Sequence, residues 1–182
     1  MTITIKAASR RRLCLGLAVG VFAASTTFAQ APAPEVPVVA QAARTLGIKR
    51  CLSAVTAVGQ RVSQGATHSD VIADWDRAAP DAGAFFSLTG LEFGAQSAAL
   101  SLTTVPDATG GCSVLAERIS AAPIACPLVA QRELPGWQGH RLLASIMVYS
   151  NPASARETVT LVNSAPGCLV IRRQVQYGWP AS

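Results

Sequence analysis

Apolar and polar residues alternate most clearly near the end of the chain, between residues 167 and 179. One set of alternate positions is apolar and comprises Leu169, Ile171, Val175 and Tyr177. The other set carries the polar residues and comprises Cys168, Val170, Arg172, Gln174 and Gln176. A period of two residues predicts a β-strand with one buried and one solvated side. Arg173 interrupts the apolar side, which we expect to face the core.

Similar stretches of strand-forming residues, bounded by turn residues, predict five more strands. These span residues 85–93, 97–105, 112–120, 140–149 and 156–163. Pro-Asp and Gly-Gly pairs within 106–111 predict a hairpin between two of them.

Apolar residues at three- and four-residue spacing predict a helix over residues 38–64. Cys51 lies on the apolar side of this helix. Gly47 and Gly59 weaken the helix, so it is expected to break near Gly47 or to end near Gly59. Thr67 and Asp70 have the spacing of a capping box and predict a short helix over 67–78. Pro127 at a first helical position predicts another brief helix, through residue 134.

Together these elements predict an α+β fold. One long N-terminal helix and a short helix pack on a mostly antiparallel sheet of about five or six strands. The predicted domain spans residues 38–182, and the Ala- and Pro-rich residues 30–37 form an extended tether before it. No internal repeat is visible in the sequence.

The N-terminal residues have the composition of a secretory signal peptide. Four basic residues precede an apolar run over 13–24, and small residues precede a cleavage site after Ala29. Residues 1–29 are therefore expected to be removed, which leaves a periplasmic or secreted chain without a transmembrane span. Arginines 10–12 also fit twin-arginine export, so the export route stays open.

Removal of the signal peptide changes the charge balance. The whole chain has 15 Lys+Arg against 10 Asp+Glu, but four of the basic residues and none of the acidic ones lie in residues 1–29. The mature chain is therefore nearly neutral, at 11 basic against 10 acidic residues. Net charge thus gives no support for a nucleic-acid partner or for an anionic membrane surface.

Four cysteines remain after Cys14 leaves with the signal peptide, namely Cys51, Cys112, Cys126 and Cys168. An even number in an oxidising compartment predicts two disulfides. A four-thiolate metal site is disfavoured because there is no Cys-x-x-Cys pair. The predicted strand directions favour Cys112–Cys168 with Cys51–Cys126, although three connectivities are open.

The sequence segments around these cysteines resemble segments of other proteins. They are Cys51-Leu52-Ser53-Ala54-Val55, Gly111-Cys112, Cys126 and Gly167-Cys168-Leu169-Val170-Ile171-Arg172-Arg173. In these segments, over most of the mature chain, the protein resembles small exported proteobacterial proteins of unknown function with a four-cysteine framework. The resemblance implies export and a disulfide-bonded fold, and no activity.

No catalytic, cofactor or metal-binding motif is present in the sequence. The enzymatic alternative is a small periplasmic hydrolase that uses His68 or His140 as a general base, oriented by Asp70 or Asp74. The simpler interpretation, that both histidines are ordinary surface residues, is favoured.

Two tryptophans at loop positions predict a binding surface. Trp137 lies in a Pro- and Gly-bounded loop, and Trp179 lies past the last predicted strand, which ends at Tyr177. Aromatic and arginine side chains are enriched in recognition sites, so Trp137, Trp179, Arg141 and Arg172 are the candidate binding residues. For the tryptophans themselves, the favoured interpretation is that both close the ends of the core. We therefore expect a non-catalytic module that binds an envelope protein or a polysaccharide.

Overall fold

The computed structural model describes residues 35–180. The predicted signal peptide, its cleavage site and most of the tether lie outside these residues. The described elements, in chain order, are α1 (Val38–Thr45), α2 (Leu52–Ser63), β1 (His68–Trp75), β2 (Phe85–Phe93), β3 (Gln96–Pro106), β4 (Cys112–Ala122), α3 (Cys126–Glu133), β5 (Gln138–Leu143), β6 (Ile146–Asn151), β7 (Ser154–Ser164) and β8 (Gly167–Trp179).

All eight strands form one sheet with the order β1-β2-β3-β4-β8-β7-β6-β5. Every neighbouring pair is antiparallel. The prediction of five or six strands was therefore wrong. The hairpin between β3 and β4 and the brief helix α3 are confirmed.

The described chain consists of two similar halves, although no repeat was visible in the sequence. Each half is a helical segment followed by four consecutive strands, and the halves join along β4 and β8. Cys112 and Cys168, which begin or nearly begin these strands, are 56 residues apart. The same shift takes Glu117 to Arg173, and these two residues are partners in the β4–β8 ladder. A pseudo-twofold axis, normal to the sheet, therefore passes through the Glu117–Arg173 pair.

Two glycines mark equivalent points of close approach in the two halves. A Cβ atom on Gly111 would lie 2.7 Å from the carbonyl oxygen of Trp179, and one on Gly167 would lie 2.5 Å from that of Ala122. Only glycine permits the backbones to approach so closely, which explains why a Gly-Cys pair opens this region twice.

The single long N-terminal helix was also a wrong prediction, because the chain turns between α1 and α2. Gly47 has a φ of 86°, and the amides of Gly47 and Ile48 donate to the carbonyls of Arg44 and Ala43. This is the Schellman arrangement that ends a helix. The carboxylate of Asp81 then accepts from the amides of residues 49 and 50 at 2.7 Å each, which fixes the turn before α2.

Residues 67–78 do not form the predicted short helix; most of them form the edge strand β1. The amide of Thr67 donates to the carbonyl of Glu92 at 2.7 Å, and β1 then pairs with β2 along its whole length. Asp70 accepts from the amide of Val71 instead of closing a capping box. Pairing with a neighbouring strand thus overrides the local capping signal.

The predicted strand over residues 140–149 is in fact two strands, β5 and β6, with a turn at residues 144 and 145. This turn contains neither Gly nor Pro, so the sequence does not mark it. The additional reversal makes β8 antiparallel to β4.

Two disulfides are confirmed, but the favoured pairing was wrong. The bridges are Cys51–Cys112 and Cys126–Cys168. Because β4 and β8 are antiparallel, Cys112 and Cys168 lie at opposite ends of the ladder. Each bridge instead joins the start of a helix to the start of the fourth strand of the same half.

The three helices cover one face of the sheet, which we call the helix face. Helices α1 and α2 pack on β1–β4, and α3 packs on β7 and β8. Two separate cores result, the first around Val55, Phe85 and Leu102 and the second around Val129 and Leu161. On β8 the buried residues Cys168 and Val170 belong to the helix face. The apolar side predicted to be buried, with Ile171 and Tyr177, lies on the other face, which no described element covers.

Candidate functional site

A cleft of about 400 Å³ lies on the helix face, over the ladder that joins the two halves. Its lining combines an apolar part, formed by Val62, Phe93, Leu100 and Ala116, with a polar part, formed by Arg61, Gln64, Arg118, Glu157, Arg172, Arg173 and Gln174. Arg173 alternates with Arg172 and Gln174 along β8, so its side chain belongs to the other face of the sheet. The cleft exists here because α2 covers the first core and α3 the second, and the seam between the cores stays open.

Three arginines converge on this cleft from different elements. Arg118 on β4 and Arg172 on β8 are ladder partners, so their side chains emerge side by side on the helix face. Arg61 comes from the last turn of α2, and its Nη2 donates to Oε1 of Gln174 at 2.7 Å. Like charges directly opposite each other on paired strands are destabilising, so this arrangement needs a compensating negative charge.

Compensation inside the protein is incomplete. Nη2 of Arg172 lies 2.5 Å from Oε2 of Glu133, which extends from α3. Arg118 lies over the ring of Phe93, with 5.4 Å between its guanidinium carbon and the ring centroid. Within residues 35–180, neither Arg61 nor Arg118 has a carboxylate oxygen within 4.0 Å. Two guanidinium groups are thus left without a carboxylate partner.

The cleft also contains hydrogen-bonding groups suited to hydroxyls. Glu157 lines it from β7 and is held by the amide of Asn151, whose Nδ2 donates to its Oε2 at 2.8 Å. Gln174 is the ladder partner of Glu157. Arginine forks bind carboxylate and phosphate groups bidentately, whereas a carboxylate and amides accept from or donate to hydroxyls. The chemistry of the lining therefore suits a ligand that is both anionic and hydroxylated.

Of the residues that the sequence suggested for binding, the cleft contains Arg172 alone. Trp137 is half-buried against the second core, and Trp179 is half-buried against the first. Arg141 is exposed on the edge strand β5. The described structure does not bring these four residues together.

Arg61, Arg118 and Glu157 were missed in the sequence, although one signal for them was present. Val114 and Ala116 alternate toward the core along β4, and Arg118 continues the same alternation. A charged residue at a position where a strand should face the core indicates either an ion pair or a site.

The two histidines lie far from the cleft and from each other. His68 is on β1 and His140 is on β5, the two edge strands, so about seven strand spacings or about 34 Å separate them. Nδ1 of His68 lies 3.4 Å from Oε2 of Glu92, and both side chains are exposed beside a depression of about 320 Å³. In the described part of the chain, no three His, Cys, Asp or Glu side chains are grouped to hold a metal ion.

No protein-family model matches the sequence, and neither the curated proteins nor the solved structures include a significant match. Within residues 35–180, none of the helices has the length and hydropathy required to cross a membrane. Two disulfides are consistent with an extracytoplasmic protein.

Proposed function

We propose that this protein is a non-catalytic, periplasmic binding module whose ligand is an anionic saccharide unit of the cell envelope. The observation that carries the proposal is the position of Arg118, which faces Arg172 across the ladder and has no carboxylate partner in the described chain. An anion between the two guanidinium groups would relieve their repulsion.

The rest of the lining supports a sugar in preference to a simple ion. Glu157 would repel a bare anion but would accept hydrogen bonds from hydroxyl groups, as would the side-chain oxygen of Gln174. The volume of about 400 Å³ lies within the ordinary range for small-molecule sites. The apolar part of the lining would contact the carbon-bound face of a sugar ring.

Thermal unfolding in the presence of sugars tests the proposal. Glucuronate or glucose 1-phosphate should raise the melting temperature more than inorganic phosphate at equal ionic strength, and glucose should have little effect. At a concentration ten times the dissociation constant, binding contributes about 1.4 kcal/mol. This stabilisation corresponds to about 3–6 °C for a domain of this size.

Arg118→Gln is the decisive variant. The free energy of unfolding of this variant should change little, because two effects cancel. Loss of the cation–π contact with Phe93 destabilises the protein, and loss of the repulsion from Arg172 stabilises it, each by about 0.5–1 kcal/mol. The sugar-dependent shift should disappear in Arg118→Gln and persist in the control Arg44→Gln, which changes an exposed arginine on α1. An equal shift in both variants would place the anion elsewhere, and no shift in the wild type would refute the proposal.

The periplasmic location has a separate test. Intact-mass measurement of the exported protein should give a chain that starts at Gln30, with four hydrogens fewer than the fully reduced form. A mass that includes residues 1–29 would contradict cleavage after Ala29.

A further inference from the structure

The face of the sheet opposite the helices, which we call the open face, is separate from the arginine cleft. Its centre consists of the residues of β4 and β8 that alternate with the core positions, namely Leu115, Glu117, Ile119, Ile171, Arg173 and Val175. Toward one edge it continues into Phe86, Leu88 and Ile72, which are 49%, 42% and 70% exposed. No described helix packs on this face, and its central residues on β4 and β8 are half-buried, apart from the exposed Arg173.

The open face is large enough for a stable interface. Eight strands at about 4.8 Å spacing and about nine residues in length give a face of about 38 Å by 30 Å, or about 1,100 Å². A standard interface buries about 800 Å² on each partner. The face is mixed: its apolar residues on β4 and β8 lie beside polar ones such as Ser101 on β3 and Thr158 on β7. Apolar residues grouped on a protein surface mark an interaction site.

The distribution of charge on the open face makes it complementary to itself. Glu117 and Arg173 are ladder partners at its centre, with Nε of Arg173 3.8 Å from Oε1 of Glu117. Consider a twofold axis that runs parallel to the strands, between β4 and β8, and brings two open faces together. This operation places each residue of β4 over the position of its own ladder partner in the second copy.

The contacts that result are favourable in both polar and apolar positions. Glu117 faces the second copy's Arg173 and Arg173 faces its Glu117, which gives four charges of alternating sign. On either side, Leu115 faces Val175 and Ile119 faces Ile171. Aligned sheets pack about 10 Å apart, with their strand directions rotated by about −30°. Because of this rotation, residues of the two copies lie directly opposite each other at the central strands and are progressively offset toward the edges.

We propose that a second copy of this chain covers the open face, in a sheet-on-sheet dimer centred on the Glu117–Arg173 pairs. The apolar flanks supply the burial, and the four charges fix the register of the two sheets. The dimer does not depend on the proposed ligand, because the arginine cleft lies on the helix face and stays accessible.

Light scattering coupled to gel filtration of the disulfide-bonded protein tests the dimer. The wild type should have twice the mass of one chain. Glu117→Arg and Arg173→Glu should each yield monomers, because each puts four like charges at the centre. The double variant should restore the dimer, and the exposed control Arg44→Glu should leave it unchanged.

Thermal unfolding of each variant separates dissociation from misfolding. If a charge reversal prevents folding, Thr160→Lys replaces it, since Thr160 is a polar, half-buried residue of the open face and the ladder partner of Ile171. A monomeric wild type, or dimers that survive both single reversals and Thr160→Lys, would overturn the proposal. A monomer that instead co-sediments with anionic lipid vesicles would assign the face to a membrane surface and would also overturn it.

Discussion

Removal of either disulfide should destabilise the protein by a similar amount, because each bridge closes a long loop within its own half. The two loops span 61 residues for Cys51–Cys112 and 42 residues for Cys126–Cys168. We consider the paired variants Cys51→Ala with Cys112→Ala, and Cys126→Ala with Cys168→Ala. Replacing both partners avoids a free thiol that could form a wrong bridge.

The expected loss follows from the entropy that each loop removes from the unfolded chain. The chain-entropy relation gives about 4 kcal/mol for either bridge, and the ratio of the loop lengths makes the difference only about 0.3 kcal/mol. All four cysteines are nearly buried, at 0–6% exposure, so the packing lost with the sulfur atoms is also similar. A loss of about 4 kcal/mol lowers the melting temperature by about 8–16 °C for a domain of this size.

Urea unfolding followed by circular dichroism and by tryptophan fluorescence measures both the loss and its cooperativity. Trp75 and Trp179 pack against the first core, and Trp137 packs against the second. The β4–β8 ladder joins the halves through ten residue pairs, so we expect one transition that both probes report together. Each paired variant serves as the control for the other.

Two results would refute this reasoning. A loss below about 1 kcal/mol for either bridge would show that opening its loop does not increase the entropy of the unfolded chain as the entropic account requires. Separate transitions in the two probes would show that the halves unfold independently, so that each bridge stabilises its own half alone.

Three further predictions concern single side chains. Thr104→Val should raise the free energy of unfolding by about 1 kcal/mol, since the buried hydroxyl of Thr104 has no hydrogen-bond partner in the described chain, and urea unfolding measures the gain. Gly59→Ala should lower it by about 1–3 kcal/mol despite the better helix propensity of alanine, because the new Cβ would lie 2.9 Å from Cγ1 of Val39. The hydroxyl of Thr109 is the main cause that lowers the pKa of Asp107 below 3.8, with help from backbone amides and Arg50. Asp107→Asn should therefore destabilise the protein above pH 3.8, and its difference from the wild type should vanish as the pH falls through the lowered pKa; a constant difference down to pH 2 would contradict this.

The sequence predicted elements that are marked locally, and it failed where pairing between distant segments decides. Alternation along β8 and the Pro-Asp and Gly-Gly pairs before β4 identified these strands correctly. Thr67 and Asp70 mimic a capping box, yet β1 forms because β2 supplies a full set of backbone partners. The orientation of β8 could not be predicted, since alternation shows that its two sides differ but not which side the helices cover.

The candidate cleft was hidden for a related reason. Arg172 stood out as a polar residue on a strand, but Arg118 lies 54 residues earlier, and only the antiparallel β4–β8 ladder makes them neighbours. A parallel arrangement, which the predicted strand count implied, would have separated them.

The pseudo-twofold axis explains why the cleft has a single, asymmetric set of side chains. The shift of 56 residues relates Ala116 to Arg172 and Arg118 to Gln174, and these four residues form the floor at the seam. If the two halves were identical here, residue 116 would match residue 172 and residue 118 would match residue 174. An arginine at 116 and at 172 would then each pair across the ladder with a residue of another type, at 174 and at 118. Because the halves differ at both positions, the two arginines instead face each other on one side of the axis. One anionic group can bridge them there, so titration calorimetry should find one sugar bound per chain, and two equal sites would contradict a binding site at the seam.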